Sequence, residues 1–149
     1  MVTNIPVNIK KLKDNATIPT YGSANAAGAD LYACEGGDVV IKAGETKLIH
    51  TGIALEIPEG YAGFIYARSG LSCKKGLAPA NKVGVIDCDY RGEIIVALYN
   101  HSNEERVIGQ GERIAQIVIE KAEQFEFLET DFLDETDRGE KGFGSTGKK

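Results

Sequence analysis

The chain has 149 residues, of which 42% are hydrophobic and 26% charged, and its formal net charge is -5. That length predicts one domain with enough residues to bury a core of its own. The acidic balance argues against nonspecific nucleic-acid binding, which relies on basic surface, but it leaves room for an anionic ligand held by a few placed arginines.

The three cysteines, Cys34, Cys73 and Cys88, are odd in number and lack CxxC spacing. That argues against a disulfide framework and a zinc site. His50 and His101 stand alone and read, like the cysteines, as filler. The start, Met1-Val2-Thr3-Asn4-Ile5-Pro6, lacks the charged-then-apolar pattern of a signal peptide. No apolar run reaches membrane-spanning length. A reducing cytoplasm, without membrane association, is the expected compartment.

In chain order, apolar residues recur with period two. The alternation runs through Val7–Leu12, Asp38–Ile41, Thr46–Ile57, Tyr61–Arg68 and Glu93–Tyr99. Turn signals lie between these runs, at Glu35-Gly36-Gly37-Asp38, Ala43-Gly44-Glu45, Pro58-Glu59-Gly60 and Gly109-Gln110-Gly111-Glu112. Many short strands at even spacing predict an all-β sandwich or barrel. Ser69–Lys75 is expected to hold one short helical turn. Ile114–Glu123 has helical propensity, but its β-branched Ile117-Val118-Ile119 favours a strand. Composition changes near Glu129. Residues 1–129 therefore read as the β domain. Residues 130–149, rich in Asp, Glu, Gly and Lys, read as a flexible arm that cannot order itself alone.

Five segments carry chemistry. Ala26-Ala27-Gly28-Ala29-Asp30-Leu31 is a Gly-x-Asp turn entering a strand. Arg68-Ser69-Gly70-Leu71-Ser72 follows a strand directly, and backbone amides beside a guanidinium and a hydroxyl suit a phosphate. Gly84-Val85-Ile86-Asp87-Cys88-Asp89-Tyr90-Arg91-Gly92-Glu93 is the densest. It sets two carboxylates, a phenol and a guanidinium between glycines at the mouth of the apolar run Ile94–Leu98. Glycine lets a backbone approach a ligand closely, and a carboxylate beside it can deprotonate a water. Spacing alone does not choose between Asp87 and Asp89. Gly111-Glu112-Arg113-Ile114-Ala115-Gln116 is the fourth; there Arg113 also reads as an exposed strand charge. The fifth, Arg138 to Gly147, is Gly-rich backbone with Ser and Thr hydroxyls, suited to wrapping phosphates. Gly142 to Lys148 also fits G-x-x-x-x-G-K. It lacks the preceding strand, the following helix and the Ser or Thr that a phosphate-binding loop needs.

In this order and spacing, the five segments resemble the five motifs of the trimeric dUTPases (deoxyuridine triphosphate nucleotidohydrolases), over nearly the whole chain. The resemblance implies a jelly-roll-like β domain that assembles as a homotrimer. Each active site would be shared by three subunits. The first, second and fourth motifs would come from one subunit, the third from a neighbour, and the arm of the third would close over the ligand.

The implied reaction is hydrolysis of dUTP to dUMP and pyrophosphate, with Mg2+ held mainly through substrate phosphates and water. By the same resemblance, Asp87 is the general base and Asp89 is structural, bonding the turn. Asn81 and the backbone at Gly84, Val85 and Ile86 take the uracil. Tyr90 lies under the deoxyribose and leaves no room for a 2′-hydroxyl. Arg68, Ser69, Gly70 and Arg138 face the phosphates, Gln116 bonds a phosphate oxygen or helps hold the water, and Asp30 is in support. Phe143 stacks on the uracil, and Gly144 and Ser145 complete the arm's contact. The rivals are a dCTP deaminase-like enzyme, a nucleotide-dependent regulatory protein, and a plain β-sandwich interaction module.

Overall fold

In the computed structural model, which describes residues 4–144, 146 and 147, eleven strands and one short helix follow one another along the chain. The strands are β1 (Asn8–Lys11), β2 (Thr20–Tyr21), β3 (Ala29–Tyr32), β4 (Val39–Ile41), β5 (Thr46–Glu56), β6 (Tyr61–Tyr66), β7 (Leu77–Pro79), β8 (Gly84–Ile86), β9 (Glu93–Asn100), β10 (Arg106–Ile108) and β11 (Arg113–Lys121). Helix α1 (Ser69–Lys75) lies between β6 and β7. Every strand pair is antiparallel. One sheet has the order β1-β5-β9-β7, a second β2-β3-β11-β6-β8, and β10 pairs with β4 alone. This is the expected jelly-roll-like all-β architecture.

Alternation in the sequence becomes alternation across the sheets. In β9, Ile94, Val96, Leu98 and Asn100 are buried, while Glu93, Ile95, Ala97 and Tyr99 are half-buried. Ile49, Ile53, Ile94 and Leu98 of the first sheet share one core with Leu31, Ile65, Ile114 and Ile117 of the second. Each such side chain contributes about 1.5–3 kcal/mol of burial.

Residues 113–121 form a strand, so the β-branched run prevails over helical propensity. The helical turn expected at 69–75 is α1. Strands β2, β7 and β10 have two or three residues each, too few for a periodic signal. Regular structure stops at Lys121. Beyond it the chain is irregular, with Phe127, Phe132 and Leu133 at least 86% exposed.

Candidate functional site

The residues singled out in the sequence fall into three spatial groups. The first lies where β3, β11 and β6 run side by side. Gln116 of β11 is opposite Asp30 of β3 on one side and Tyr66 of β6 on the other. Arg68, which caps α1 just beyond β6, donates from Nε to Asp30 Oδ1 at 3.0 Å. Arg113 Nη1 approaches Asp30 Oδ2 at 3.5 Å. Arg68 Nη1 also reaches the Arg113 carbonyl at 3.4 Å. The Asp30 carboxylate, 14% exposed, thus holds two guanidiniums at the mouth of one cleft. Gln116 donates from Nε2 to the Ala67 carbonyl at 2.9 Å and is fixed beside them.

The cleft, of about 480 Å3, is also lined by Tyr32, Gly70, Lys74 and Lys75. Arg113 is therefore a partner of Asp30 as well as a strand charge. The two lysines were not foreseen. Their only signal is a place in the last turn of a helix whose start carries a motif.

The second group is the hairpin from β8 to β9. Lys82 adopts φ +67 in the turn that precedes β8. Gly84 packs against Ile65, and the Asn81 amide nitrogen lies 3.6 Å from where a Gly84 Cβ would stand. Asp87 is exposed at the end of β8. The turn that follows is held by Tyr90 N–H to the Asp87 carbonyl at 3.1 Å and by Arg91 Nη1 to the Cys88 carbonyl at 2.7 Å. These bonds, and not one from Asp89, tie the turn, contrary to the expectation for that residue. Tyr90 folds back over Gly92, where a Cβ would stand only 2.6 Å from the ring's Cζ, and its hydroxyl donates to the Glu93 carbonyl at 2.9 Å.

Glu93 begins β9, and its carboxylate is engaged as well. Oε1 accepts the Gly52 N–H at 2.8 Å, and Oε2 meets His50 Nδ1 at 2.7 Å. Burial pushes the Glu93 carboxyl up, but the His50 and Gly52 hydrogen bonds outweigh it and hold the group below the usual glutamate value. His50 is therefore not filler. No motif marks it, because its partner is 43 residues away.

The third group is the arm. Arg138 donates from Nε to the Lys141 carbonyl at 3.0 Å. Phe143 is fully exposed at φ +51, followed by Gly144 at φ +85. Ser145 lies outside the described residues.

Within one chain these groups do not converge. β6 and β8 are antiparallel, with Ile65 opposite Gly84 and Gly63 opposite Ile86. Arg68 leaves the ladder past Tyr66, at one end. Asp87 leaves it past Ile86, at the other. The Arg68 guanidinium and the Asp87 carboxylate thus leave the β6–β8 ladder at opposite ends.

Residues 14–147 match the dUTPase family model. The chain belongs to the dUTPase family. It is 54% identical over 142 residues to the deoxyuridine 5′-triphosphate nucleotidohydrolase of Nautilia profundicola, covering 95% of this chain and 99% of that protein. It is 47% identical over 143 residues to the enzyme of the same name from Syntrophotalea carbinolica, covering 96% and 97%. Among solved structures, a variant of the Staphylococcus bacteriophage 80alpha dUTPase with dUpNHpp superposes with a TM-score of 0.87 at 30% identity, covering 97% of this chain and 99% of that one. All five chemistry-bearing segments of this dUTPase lie inside the family match.

Proposed function

We propose how this chain, as a dUTP diphosphatase, carries out hydrolysis of dUTP to dUMP and pyrophosphate. Asp87 deprotonates a water poised in line with the α-phosphorus. Asn81 and the backbone at Gly84, Val85 and Ile86 hydrogen-bond the polar edge of uracil. Tyr90 supports the deoxyribose, and its ring closes the space that a 2′-hydroxyl needs. Arg68, Ser69, Gly70 and Gln116 stabilise charge developing on phosphate oxygens, with Asp30 aiming Arg68. Arg138 reaches the terminal phosphates, Phe143 stacks on the base, and Gly144 and Ser145 wrap the ligand.

One observation carries the reading: Arg68 and Asp87 stand at opposite ends of the β6–β8 ladder. That separation supports a site completed by a second copy of the chain, as in a homotrimer whose head-to-tail contacts close into a ring. The exposed Phe127, Phe132 and Leu133 fit a segment that is covered on assembly. Arm closure over the ligand excludes water and fixes the reacting geometry.

Mg2+ fits as an ion carried by the nucleotide. Among the described residues no three His, Cys, Asp or Glu side chains gather as a ligand set. Hard oxygens from the triphosphate and from water suit it better than an all-protein cage. When bound, it supplies neutralisation of phosphate charge. Arg68, Ser69 and Arg138 hold the magnesium–nucleotide complex through its phosphates. The three free thiols fit a reducing cytoplasm.

The test is pyrophosphate release from dUTP with magnesium, beside dCTP, dTTP and UTP, followed by subunit mixing. An Arg68→Ala protein and an Asp87→Asn protein, each inactive alone, should regain activity when dissociated and reassembled together. Failure of the mixture, with both variants assembled, would rule out shared sites.

A further inference from the structure

We infer that Glu93 and His50 form a positioning pair that sets the sugar selectivity of this site by holding Tyr90 in place. The inference rests on the reading of Tyr90 as the group that excludes a 2′-hydroxyl.

The anchor is a bulge in β5. Opposite β9, His50 pairs with Ile95 and Ala54 with Glu93, so Thr51, Gly52 and Ile53 face Ile94 alone. Extra residues of this kind bend a strand and re-aim the side chains around it. Gly52 sits at φ +69, and a Cβ there would stand 2.9 Å from both Ala16 Cβ and Cys34 Sγ.

The bulge is tied on several sides. The Gly52 carbonyl accepts Leu12 N–H at 2.7 Å, and the His50 carbonyl accepts Cys34 N–H at 2.7 Å. His50 N–H donates to Glu35 Oε1 at 2.7 Å. Thr51, 1% exposed, bonds the Ile94 carbonyl through its hydroxyl.

Glu93 joins this anchor to the hairpin. Its side chain grips the bulge through Gly52 N–H and His50 Nδ1, and its backbone carbonyl takes the Tyr90 hydroxyl. Tyr90 N–H in turn holds the Asp87 carbonyl. The path from His50 to the turn carrying Asp87 is thus hydrogen-bonded at each step. Tyr90 is 43% exposed, with its ring laid over Gly92 and its hydroxyl tied to the Glu93 carbonyl. Its placement depends on where the Glu93 carbonyl stands.

Loss of the grip should therefore blur discrimination at the sugar more than it damages the fold. The experiment measures kcat/KM for dUTP and for UTP, together with Tm and oligomeric state, in Glu93→Ala, Glu93→Gln, His50→Ala and Tyr90→Ala. Glu93→Ala should reduce the dUTP-over-UTP preference by about tenfold to a hundredfold, the scale on which small misplacements act. Glu93→Gln should restore most of it. The Gln carbonyl accepts Gly52 N–H, and its amide donates to a neutral imidazole. His50→Ala removes one arm of the grip at a half-exposed site and should give a smaller loss. It decides the matter if Glu93→Ala fails to fold.

Preference unchanged in folded Glu93→Ala and His50→Ala, but lowered in Tyr90→Ala, would overturn the positioning role and leave the Tyr90 reading intact. Preference unchanged in Tyr90→Ala would overturn both. Loss of Tm with selectivity preserved would reduce the pair to a structural clamp.

Discussion

Gln116 occupies the space that Gly28 leaves empty. A Cβ on Gly28 would collide with the Gln116 side-chain oxygen and stand 3.1 Å from its Cβ and Cδ. Gln116 cannot simply swing aside, because its Nε2 is bonded to the Ala67 carbonyl at 2.9 Å. Gly28→Ala should therefore displace the amide from the Ala67 carbonyl, next to Arg68. Overpacking of this kind costs about 1–3 kcal/mol. Turnover should fall further than stability does, which steady-state kinetics beside denaturant unfolding will show.

Asp87 is exposed, and its side chain is free to meet a water. Asp87→Asn keeps the shape and removes the proposed base. The kcat should fall by roughly 10²- to 10⁴-fold, the usual scale of lost acid–base catalysis. Calorimetric affinity for a nonhydrolysable dUTP analogue should stay close to that of the parent. Near-parental turnover would move the base elsewhere.

Much of this was legible in the sequence, for reasons that differ by element. Long strands such as β5 and β9 announce themselves by alternation, because one face of each is buried. The short β2, β7 and β10 do not, since two or three residues cannot display a period. Asp30, Arg68, Asp87 and Tyr90 stand out in the sequence because their neighbours in the chain form motifs. His50, Lys74 and Lys75 were missed because their significance is tertiary. His50 matters only once Glu93 is beside it, and the lysines only once α1 turns them toward Arg68 and Arg113. The spacing of motifs in the chain also says nothing about which end of a ladder each occupies.

Stability should depend on Glu93 at acid pH. Its carboxyl is held below the ordinary value of 4.5: burial pushes it up, and the His50 and Gly52 hydrogen bonds more than offset that. A depressed folded-state pKa gives stability that is fully present above the unfolded value and lost as pH falls through the folded one. Glu45, held low by the Lys42 N–H and then by Lys47, acts in the same direction. Thermal unfolding followed downward from pH 5 should show Tm dropping less steeply in Glu93→Gln than in the parent. Equal slopes would mean that the carboxylate gains nothing from its partners.

Asn100 is completely buried and fully occupied. Its Nδ2 donates to the Ile41 carbonyl at 2.9 Å and the Glu104 carbonyl at 2.7 Å, while Oδ1 accepts from Ser102 N–H at 3.0 Å and its hydroxyl at 2.7 Å. Asn100→Ala strands the buried Ile41 carbonyl, at about 1–3 kcal/mol, unties the part-buried Ser102 and Glu104 contacts and leaves a cavity. The variant should lose about 3 kcal/mol or more in denaturant unfolding, a large share of a marginally stable fold.

The arm should be dispensable for folding and needed for turnover. Its described hydrogen bonds from 136 onward are local, joining Arg138 to Lys141 and Gly139 to Thr136. Among the described residues, removal of 138–149 therefore withdraws no bond from the β domain, and it should shift the unfolding free energy by no more than about 0.5 kcal/mol. Arg138 and Phe143 leave with it, and with them the cation, the stacking surface and the cover that the proposed reading gives the ligand. The kcat/KM for dUTP should fall about a hundredfold or more, the scale of lost positioning. If the truncated protein keeps full activity, the arm is not a lid, and the phosphates are held by Arg68 and its neighbours alone.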